Sequence, residues 1–318
     1  MEITPEIKDR LEKLRDKYAA LGQDLESYLD GLLYADTVKY WDYIAVDTLL
    51  SLQKPRTSYP DEVIFIMYHQ ITELYFKLAL REFEQIAEHP SLTGEFLKDR
   101  TIRINRYFEA LTKSFEIMVQ GMEKEQFLKF RMSLLPASGF QSAQYRMIEI
   151  ASTDFVNLVH KDVRSRFSGE ETIKEMYEHI YWKEGATELA TGEKTLTLKE
   201  FEKRYSKEFI KFGDERRATN LWKCYSALSE KERKDEELIK ALKQNDVNVN
   251  INWPLVHYKS AVRYLQRNPS DIAATGGTNW QKYLPPRFQK RIFYPSLWSE
   301  QEKNEWGKTW VEEVMANS

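Results

Sequence analysis

Residues 62–83 read EVIFIMYHQITELYFKLALREF, a long apolar stretch with a histidine, His69, in its middle. Large apolar residues follow one another so densely from Val63 to Leu80 that the pattern predicts a helix in the centre of a bundle rather than at its surface. Helical spacing predicts that one face of this helix carries Phe65, His69, Thr72, Glu73 and Phe76. The imidazole is thus expected between two aromatic rings in a low-dielectric interior, where it needs a polar partner from the protein or from a ligand.

The composition excludes several classes of protein. Lys and Arg number 47 and Asp and Glu 50, so the net charge of -3 leaves no positive excess to attract nucleic acid or anionic lipid. Cys224 is the only cysteine, which excludes an intrachain disulfide and cysteine-rich metal sites and fits a reducing compartment. The N-terminus lacks the apolar segment of a signal peptide, and no apolar run is long enough to span a bilayer. We therefore expect a soluble, cytoplasmic protein that binds neither nucleic acid nor membranes.

The remaining pattern predicts helices and no series of strands, so the expected fold class is all-α. Apolar spacing, prolines and glycines predict further helices at 5–21, 24–33, 37–53, 94–121, up to 134, and about 140–159. Asp61 is expected to cap the central helix, and Pro90 to end it. Residues 161–250 are more polar and predict three or four helices with solvated faces, in which Thr195 and Thr197 are turn and cap residues. Pro254 suits the first turn of a last helix, and loops are expected at 136–139 and 275–278.

The five histidines fall into two groups. His89 lies beside a proline at a helix end, and His160 and His179 lie in polar stretches, so we expect these three at the surface. His69 and His257 differ, because both lie on apolar helix faces with aromatic neighbours. Each is either a hydrogen-bonded core histidine or a ligand.

The spacing of possible metal ligands excludes several kinds of site. The sequence has no HExxH and no Glu-x-x-His, which excludes a zinc protease of that kind and a helical di-iron site. A mononuclear iron site with His69, Glu73 and His257 as its two histidines and carboxylate remains open. The other possibility is haem, whose iron needs a single neutral imidazole in an apolar pocket. His257 would then be the axial ligand, and His69 would hydrogen-bond a ligand across the pocket.

Arg131 is a third candidate for the site, because Phe127, Phe130 and Leu134 surround it at helical spacing. An arginine among apolar residues is costly unless it meets an anion, and its planar guanidinium suits a carboxylate. The anion is either a substrate carboxylate or an acid of the protein in a structural ion pair.

Three stretches, in this order, resemble the tryptophan 2,3-dioxygenase family: FIMYHQITELYFKL, FLKFRMSLLPASGFQSAQYRMIE and ATGGT. The resemblance also includes YWDYIAVDTLLSLQ upstream, and His257 lies between the last two stretches. It implies a single all-helical haem domain over 1–318, in which 37–150 and 250–285 build the pocket and 161–250 form a polar helical insertion. The implied enzyme is an oxidoreductase with ferrous haem b. It inserts both atoms of O2 across the indole C2–C3 bond of L-tryptophan to give N-formyl-L-kynurenine, the first step of the kynurenine pathway of tryptophan catabolism.

Carried over position by position, the resemblance implies roles for the candidate residues. His257 matches the axial ligand of the haem iron, and His69 matches the histidine that hydrogen-bonds the indole N–H. Phe65 matches the ring that packs on the substrate. Arg131 matches the arginine that binds the substrate carboxylate, and Thr275 in the glycine loop matches the residue that contacts the amino-acid head group.

The resemblance also implies further pocket residues and an oligomer. Phe127 and Leu134, on either side of Arg131, belong to the substrate pocket. Tyr40 and Ile44 match residues that reach the pocket from a neighbouring subunit, so the resemblance implies a homotetramer built as a dimer of dimers. Two alternatives stay open: a related haem-dependent hydroxylase of a tyrosine-like substrate, and a helical haem-binding protein without turnover.

Overall fold

The computed structural model describes residues 3–35, 38–134, 141–184, 186–187, 193–264 and 290–307. Within these ranges the regular structure is helical, with two isolated β-bridges and no longer strand, which confirms the all-α prediction. The contacts divide the chain into two compact units, Met1–Gln53 and Lys54–Ser318, and the prediction of a single domain stays a prediction. None of the described helices is long and apolar enough to cross a membrane.

The first unit contains four helices in its described part: α1 (Pro5–Ala20), α2 (Leu25–Tyr34), α3 (Tyr40–Tyr43) and α4 (Val46–Leu50). The single helix predicted over 37–53 is wrong, because Ala45 has a φ of 48° and interrupts the helical hydrogen bonding between α3 and α4. The structure describes no buried residue in this unit, although many of its large apolar side chains are described.

The second unit begins with the helices that carry the candidate site: α5 (Asp61–Ala87), α6 (Gly94–Ser114), α7 (Glu116–Gln120), α8 (Lys124–Ser133) and α9 (Ala143–Ser152), followed by a 3-10 turn (Phe155–Leu158). The polar stretch then contributes α10 (Lys161–Arg164), α11 (Ile173–Glu178), α12 (Tyr181–Glu184), α13 (Leu196–Arg216), α14 (Leu221–Ser226), α15 (Glu230–Arg233) and α16 (Glu236–Val247). A π-helical turn (Asn248–Asn252), α17 (Trp253–Tyr264), a 3-10 turn (Pro295–Leu297) and α18 (Glu300–Asn304) complete the described part.

Several helix predictions need correction. The polar stretch contains seven short and long helices in its described part, not three or four. The helix predicted over about 140–159 is shorter, since α9 begins after its N-cap Ser142 and ends at Ser152. Thr195 is the N-cap of α13, where its hydroxyl accepts a hydrogen bond from the Leu198 N–H, while Thr197 lies inside that helix. The loops predicted at 136–139 and 275–278 lie outside the described residues.

Helix α5 packs against α6 and α9 but is not buried on all sides, so that part of the prediction is wrong. Its inner face includes Tyr68, Thr72, Phe76, Ala79, Phe83 and Ile86, all of them buried. Its outer face carries a stripe of large apolar side chains that are 41–50% exposed: Met67, Ile71, Leu74 and Leu78. Hydrophobicity alone therefore overestimated how many elements cover this helix.

The N-terminus of α5 is fixed by carboxylates in a way that differs from the prediction. Pro60 is the N-cap, and Asp61 is the first helical residue. The Asp61 carboxylate instead accepts a hydrogen bond from the Glu123 N–H at 2.6 Å, just before α8, and thereby ties α5 to α8. The buried Glu62 carboxylate accepts hydrogen bonds from the N–H groups of Arg56 and Thr57, both at 2.8 Å, and orders the preceding loop.

The long helix predicted over 94–121 is wrong because it is interrupted at Phe115, between α6 and α7. At this point the Leu111 carbonyl accepts hydrogen bonds from the Phe115 N–H, the Tyr68 hydroxyl and the Ser114 hydroxyl. Side-chain donors that compete for a helical carbonyl favour a local change of direction. The interruption directs the Phe115 ring toward α17, where it packs against Trp253 and His257.

The approach to α17 is fixed by the buried carboxylate of Asp246, at the end of α16. It accepts hydrogen bonds from the N–H groups of Phe293 and Tyr294, from the Trp298 indole and from the Asn250 amide, at 2.7–3.2 Å. Burial raises the pKa of Asp246 to about 6, against the opposing effect of these donors. The carboxylate thus connects the segment 290–307 to the π-helical turn that leads into α17.

Candidate functional site

His257 lies on α17, where one ring nitrogen is hydrogen-bonded to the backbone and the other has no hydrogen-bond partner among the described residues. The backbone carbonyl of Trp253 lies 2.9 Å from Nδ1 and can only accept, so Nδ1 carries the hydrogen and Nε2 is the basic nitrogen. No residue in the described ranges hydrogen-bonds Nε2. The imidazole packs against the rings of Phe115 and Trp253, each with a centroid separation of 4.4 Å. Burial lowers the pKa of His257 to about 4, so the ring is neutral at physiological pH.

His69 on α5 has the same internal arrangement. Its Nδ1 donates to the Phe65 carbonyl at 2.7 Å, which leaves Nε2 as an acceptor. The ring packs against Phe65 at a tilt of 35°, with 4.1 Å between centroids. Its side chain is reached by solvent, yet desolvation by the surrounding protein lowers its pKa, and the positive charge of Arg131 lowers it further.

The expectation that His69 lies between two aromatic rings in the interior is wrong. Phe65 is in contact with it, but Phe76 packs instead against Phe108, Tyr145 and Trp253. Successive turns of α5 point into different surroundings, because the inner face is covered by α6 and α9 while the position of His69 is open.

The two histidines are linked electrostatically. Burial lowers the pKa of His257, and an interaction with His69 lowers it further. A series of rings joins the same helices: Phe127 on α8 lies 6.3 Å from Phe65 and 4.5 Å from Tyr264, measured between centroids. Helices α5, α8 and α17 therefore contribute aromatic and imidazole rings to one part of the molecule.

Arg131 and Leu134 lie at the end of α8 beside this region. Burial lowers the pKa of the half-buried Arg131, and its charge acts on His69. Leu134 follows the last turn, with its N–H donating to the Arg131 carbonyl at 3.1 Å, and its side chain packs on the hydrophobic core. The guanidinium is thus on the same side of α8 as the histidine of α5.

The alternative of an iron site with two histidines and a carboxylate is wrong. Across the described parts of the chain, no three His, Cys, Asp or Glu side chains lie close enough together to hold a metal ion. The Glu73 carboxylate accepts a hydrogen bond from the Gln144 amide at 2.8 Å, which links α5 to α9. Glu73 thus has a structural partner in place of a metal.

The residues present fit haem as the prosthetic group. An axial ligand must be a neutral imidazole with one basic nitrogen, and a backbone acceptor on the other nitrogen fixes its tautomer and orientation. His257 meets each requirement, with Trp253 as the backbone acceptor. Its aromatic neighbours supply the apolar surroundings that a porphyrin needs.

The structure places the other candidates elsewhere or leaves them undescribed. Tyr40 and Ile44 lie in the first unit with exposed side chains, and Thr275 lies outside the described residues. The predicted surface position of His160 is wrong: its side chain is buried, and its N–H donates to the His179 carbonyl at 2.8 Å. His179 is exposed, as predicted, and His89 is partly buried against Phe96.

Phe115 is the neighbour of His257 that the sequence did not identify. It was one of several apolar residues in a predicted continuous helix, and nothing in its spacing marks it. At the interruption of that helix the Leu111 carbonyl accepts a hydrogen bond from the Tyr68 hydroxyl, which comes from a different element. Such a contact is not visible in a local pattern.

Comparison with known proteins gives one consistent answer. The family model described as tryptophan 2,3-dioxygenase matches residues 32–268, more than half of the chain. A tryptophan 2,3-dioxygenase of a Ruegeria species is 39% identical over 118 residues, which is 36% of this chain and 42% of that protein. Tryptophan 2,3-dioxygenase 2 of Ralstonia nicotianae is 40% identical over 127 residues, covering 36% of this chain and 33% of that protein.

The protein of Pseudomonas fluorescens with the same name is 37% identical over 120 residues, 36% of this chain and 41% of its own length. The aligned segments thus span less than half the length of these curated relatives. The family match extends over the helices that carry both histidines and Arg131. The chain belongs to the tryptophan 2,3-dioxygenase family.

Proposed function

We propose that this chain is a haem-dependent tryptophan 2,3-dioxygenase, which inserts both atoms of O2 across the indole C2–C3 bond of L-tryptophan to give N-formyl-L-kynurenine. This reaction would be the first step of the kynurenine pathway of tryptophan catabolism. The observation that carries the proposal is the arrangement at His257: a neutral imidazole with Nδ1 bonded to the backbone and a basic Nε2, within electrostatic range of His69. Family membership supports the choice of reaction.

In this proposal His257 would hold haem b through its basic Nε2, beside the rings of Phe115 and Trp253, which pack against its imidazole. Ferrous haem, when bound, supplies the oxygen chemistry, while the protein supplies binding and orientation. The hydrogen bond from Nδ1 to the Trp253 carbonyl keeps the imidazole from rotating and raises the basicity of Nε2.

His69 accepts the indole N–H in this proposal. Its Nδ1 donates to Phe65, so the lone pair of Nε2 is the group available to a substrate, and an indole nitrogen can only donate. The lowered pKa keeps this lone pair unprotonated at neutral pH. The match is between one donor and one acceptor, and it orients the indole without requiring that His69 remove the proton.

The rest of the pocket recognises the amino-acid substrate. Arg131 binds the carboxylate, since a guanidinium can form two parallel hydrogen bonds with it, and Thr275 contacts the head group. Phe65 packs on the indole, and Phe127 and Leu134 form the apolar wall. The contact of Phe127 with both Phe65 and Tyr264 supports this assignment.

We further propose that a second copy of the chain completes the pocket with Tyr40 and Ile44, in a homotetramer built as a dimer of dimers. The described part of the first unit has no buried residue, and Tyr40, Trp41 and Tyr43 are 53–81% exposed. Large exposed apolar side chains are characteristic of surfaces that are covered in an assembly.

The test begins with the full chain purified with haem supplied, reduced without oxygen and then given L-tryptophan and O2. N-formylkynurenine, followed by its absorbance, is the expected product. D-tryptophan and tryptamine should react poorly, because each lacks the head-group arrangement that Arg131 and Thr275 recognise. Oxidation of L-tyrosine in preference to L-tryptophan would favour the hydroxylase instead.

A histidine substitution tests the haem assignment independently of turnover. His257→Ala should abolish the Soret band of the protein purified with haem, since the axial ligand is removed. The exposed His179, replaced by Ala in the same way, is the matched control and should keep the band. An unchanged haem spectrum in His257→Ala would refute the assignment, and absence of haem from the unmodified protein would refute the function.

A further inference from the structure

A cavity of about 200 Å³ in the second unit lies apart from the residues of the proposed active site. It is formed by the residues that follow α9, by the turn before α11 and by the junction of α13 and α14. None of the histidines or other candidate residues discussed above lines it. This volume is below the roughly 300–1,000 Å³ of sites for drug-sized molecules, so only a small ligand fits.

The lining of this cavity contains two kinds of side chain that matter for a ligand. Five are apolar: Ile150, Phe155, Val156, Ile173 and Met176. Five are charged, three cationic and two anionic: Arg216, Arg217, Lys223, Asp154 and Glu170. Apolar side chains together with a few charged groups that fix orientation are what a site for a small organic ion requires.

Two of the three cations already have partners within the protein. The Lys223 ammonium lies 3.2 Å from the Asp154 carboxylate. Arg217 donates to the carbonyl oxygens of Gly169 and Glu170, at 3.1 and 3.0 Å. These contacts hold the turn at Gly169 against the end of α13 and thereby position the charged residues of the cavity.

Arg216 is the cation without such a partner. Its guanidinium lies over the ring of Phe212, 5.3 Å from the centroid. Its Nε is buried without a hydrogen bond, and the described structure gives its terminal nitrogens neither an acceptor nor an ion pair. A partly buried guanidinium with unused donors is costly, and a carboxylate is the anion that its planar geometry fits best.

We propose that this cavity binds a small organic monoanion, a carboxylate attached to an apolar group. Its carboxylate pairs with the terminal nitrogens of Arg216, and its apolar group packs on the apolar part of the lining, which includes Phe155 and Ile173. The charge count supports a single negative charge, since three cations and two anions leave one cation over. The site is separate from the proposed active site and does not depend on the proposed reaction.

The test is calorimetric titration of the haem-supplied full chain with benzoate, which combines a carboxylate and an apolar ring. We expect saturable binding that Arg216→Gln weakens at least about tenfold. Benzyl alcohol, without the charge, and inorganic phosphate, without the apolar group, should each bind at least about tenfold more weakly than benzoate. Binding of phosphate as tight as that of benzoate would overturn the assignment to organic carboxylates.

The chain offers a closely matched control in Arg204. It lies on the same helix, its guanidinium is likewise over an adjacent ring, that of Tyr205 at 5.1 Å, and it does not line the cavity. Arg204→Gln should leave benzoate affinity unchanged. Arg131→Gln should also leave it unchanged, which distinguishes the cavity from the proposed substrate pocket.

Circular dichroism melting establishes that each variant is folded. If Arg216→Gln proves unstable, Arg216→Lys keeps the positive charge but lacks the planar pair of donors, and we expect it to weaken benzoate binding severalfold. The proposal is overturned if the unmodified chain shows no saturable benzoate binding. It is equally overturned if the Arg216 variants bind as tightly as Arg204→Gln, or if Arg131→Gln alone removes binding.

Discussion

The two histidines and a cluster of buried charges differ in how their hydrogen-bonding capacity is used. We call Arg146, Glu149, Tyr181 and Arg291 the buried charge network. The Glu149 carboxylate accepts from Arg146 at 2.8 Å, from the Tyr181 hydroxyl at 2.5 Å and from Arg291. The Tyr181 hydroxyl accepts from Arg146 and Arg291 in turn. At His69 and His257, by contrast, one ring nitrogen is bonded and the other has no partner among the described residues.

Burial has opposite consequences in the two regions. In the buried charge network, burial raises the pKa of Tyr181 well above its ordinary value, so the hydroxyl stays protonated and remains a donor to Glu149. At His257 burial lowers the pKa, and at His69 desolvation by neighbouring atoms and the charge of Arg131 lower it, so each ring keeps a lone pair available. Shifted pKa values are common to structural and functional sites. The presence of an unused acceptor distinguishes the second kind of site in this chain.

The largest expected effect tests whether the buried charge network is structural. Glu149→Gln removes the anion that lies between two buried arginines, so we expect the free energy of unfolding to fall by about 3–5 kcal/mol. Urea denaturation followed by circular dichroism measures this loss. Any folded fraction should keep the haem spectrum of the unmodified protein, because the network includes neither histidine.

The exposed ion pair of Glu230 and Lys234 provides the control for this variant. Both side chains are 75% exposed, so Glu230→Gln should change stability by less than about 0.5 kcal/mol. If Glu149→Gln loses no more stability than Glu230→Gln, the structural role of the buried charge network is contradicted. Such a result would mean that the buried charges contribute no more than surface charges do.

The next effect concerns the pH dependence of stability at His257. The folded pKa is about 4, and the ordinary value is 6.5, so between these values the unfolded chain binds a proton that the folded chain does not. Stability therefore falls as the pH falls through this window. A shift of this size corresponds to at most about 3 kcal/mol between pH 7 and pH 4.

The haem-free protein and its His257→Gln variant are unfolded by urea at several pH values. The difference between their free energies of unfolding, followed against pH, gives the contribution of His257. Asp246 titrates in the same range with the opposite sign, because its raised pKa lets the folded state bind the proton more tightly. That contribution is common to both proteins and cancels. Parallel curves for the two proteins would show that the His257 imidazole is not held neutral.

A smaller effect, on kcat/KM, is expected at His69, because its replacement removes one hydrogen bond to the substrate. His69→Ala should lower kcat/KM for L-tryptophan by about tenfold, the equivalent of about 1.4 kcal/mol, with the Soret band unchanged. Steady-state product formation measures it. Complete inactivity of a variant that still carries haem would mean that His69 has an obligatory chemical role beyond orientation.

The sequence alone predicted the fold class and the extent of α5, the helix that carries His69. These features follow from apolar spacing along single segments. The interruptions at Ala45 and Phe115 were not predictable, since the first depends on a left-handed backbone conformation of an alanine and the second on a hydroxyl from another helix. The buried position of His160 was missed because polar neighbours in sequence do not determine what packs on a side chain.

Arg291 also makes contacts that the sequence pattern could not predict, with residues far away along the chain. It is separated from Glu149 by 142 positions, and no local pattern relates the two residues. Membership in the buried charge network is a property of tertiary packing. The charges of the polar stretch were interpreted as solvated faces, which holds for α15 but overlooks Tyr181 and the buried Lys183.

The smallest effect, on stability, is expected at Tyr68. This residue precedes His69 in sequence, but its hydrogen-bonding group is satisfied within the protein, as in the buried charge network. Its side chain is 3% exposed, and its hydroxyl donates to the Leu111 carbonyl at 3.1 Å, next to Ser114. In Tyr68→Phe that carbonyl keeps its bonds from the Phe115 N–H and from Ser114, so no buried acceptor is left without a donor. We therefore expect a loss of only about 1 kcal/mol in urea denaturation.

The exposed Tyr34, replaced by Phe in the same way, should have no measurable effect on stability, since this residue is 81% exposed. A loss above about 3 kcal/mol in Tyr68→Phe, or a shift of the Soret band, would contradict its assignment as a structural residue. The Phe115 ring packs against both Tyr68 and His257 and thus connects the two residues. A spectral shift would therefore show that the interruption between α6 and α7 helps to orient the imidazole of His257.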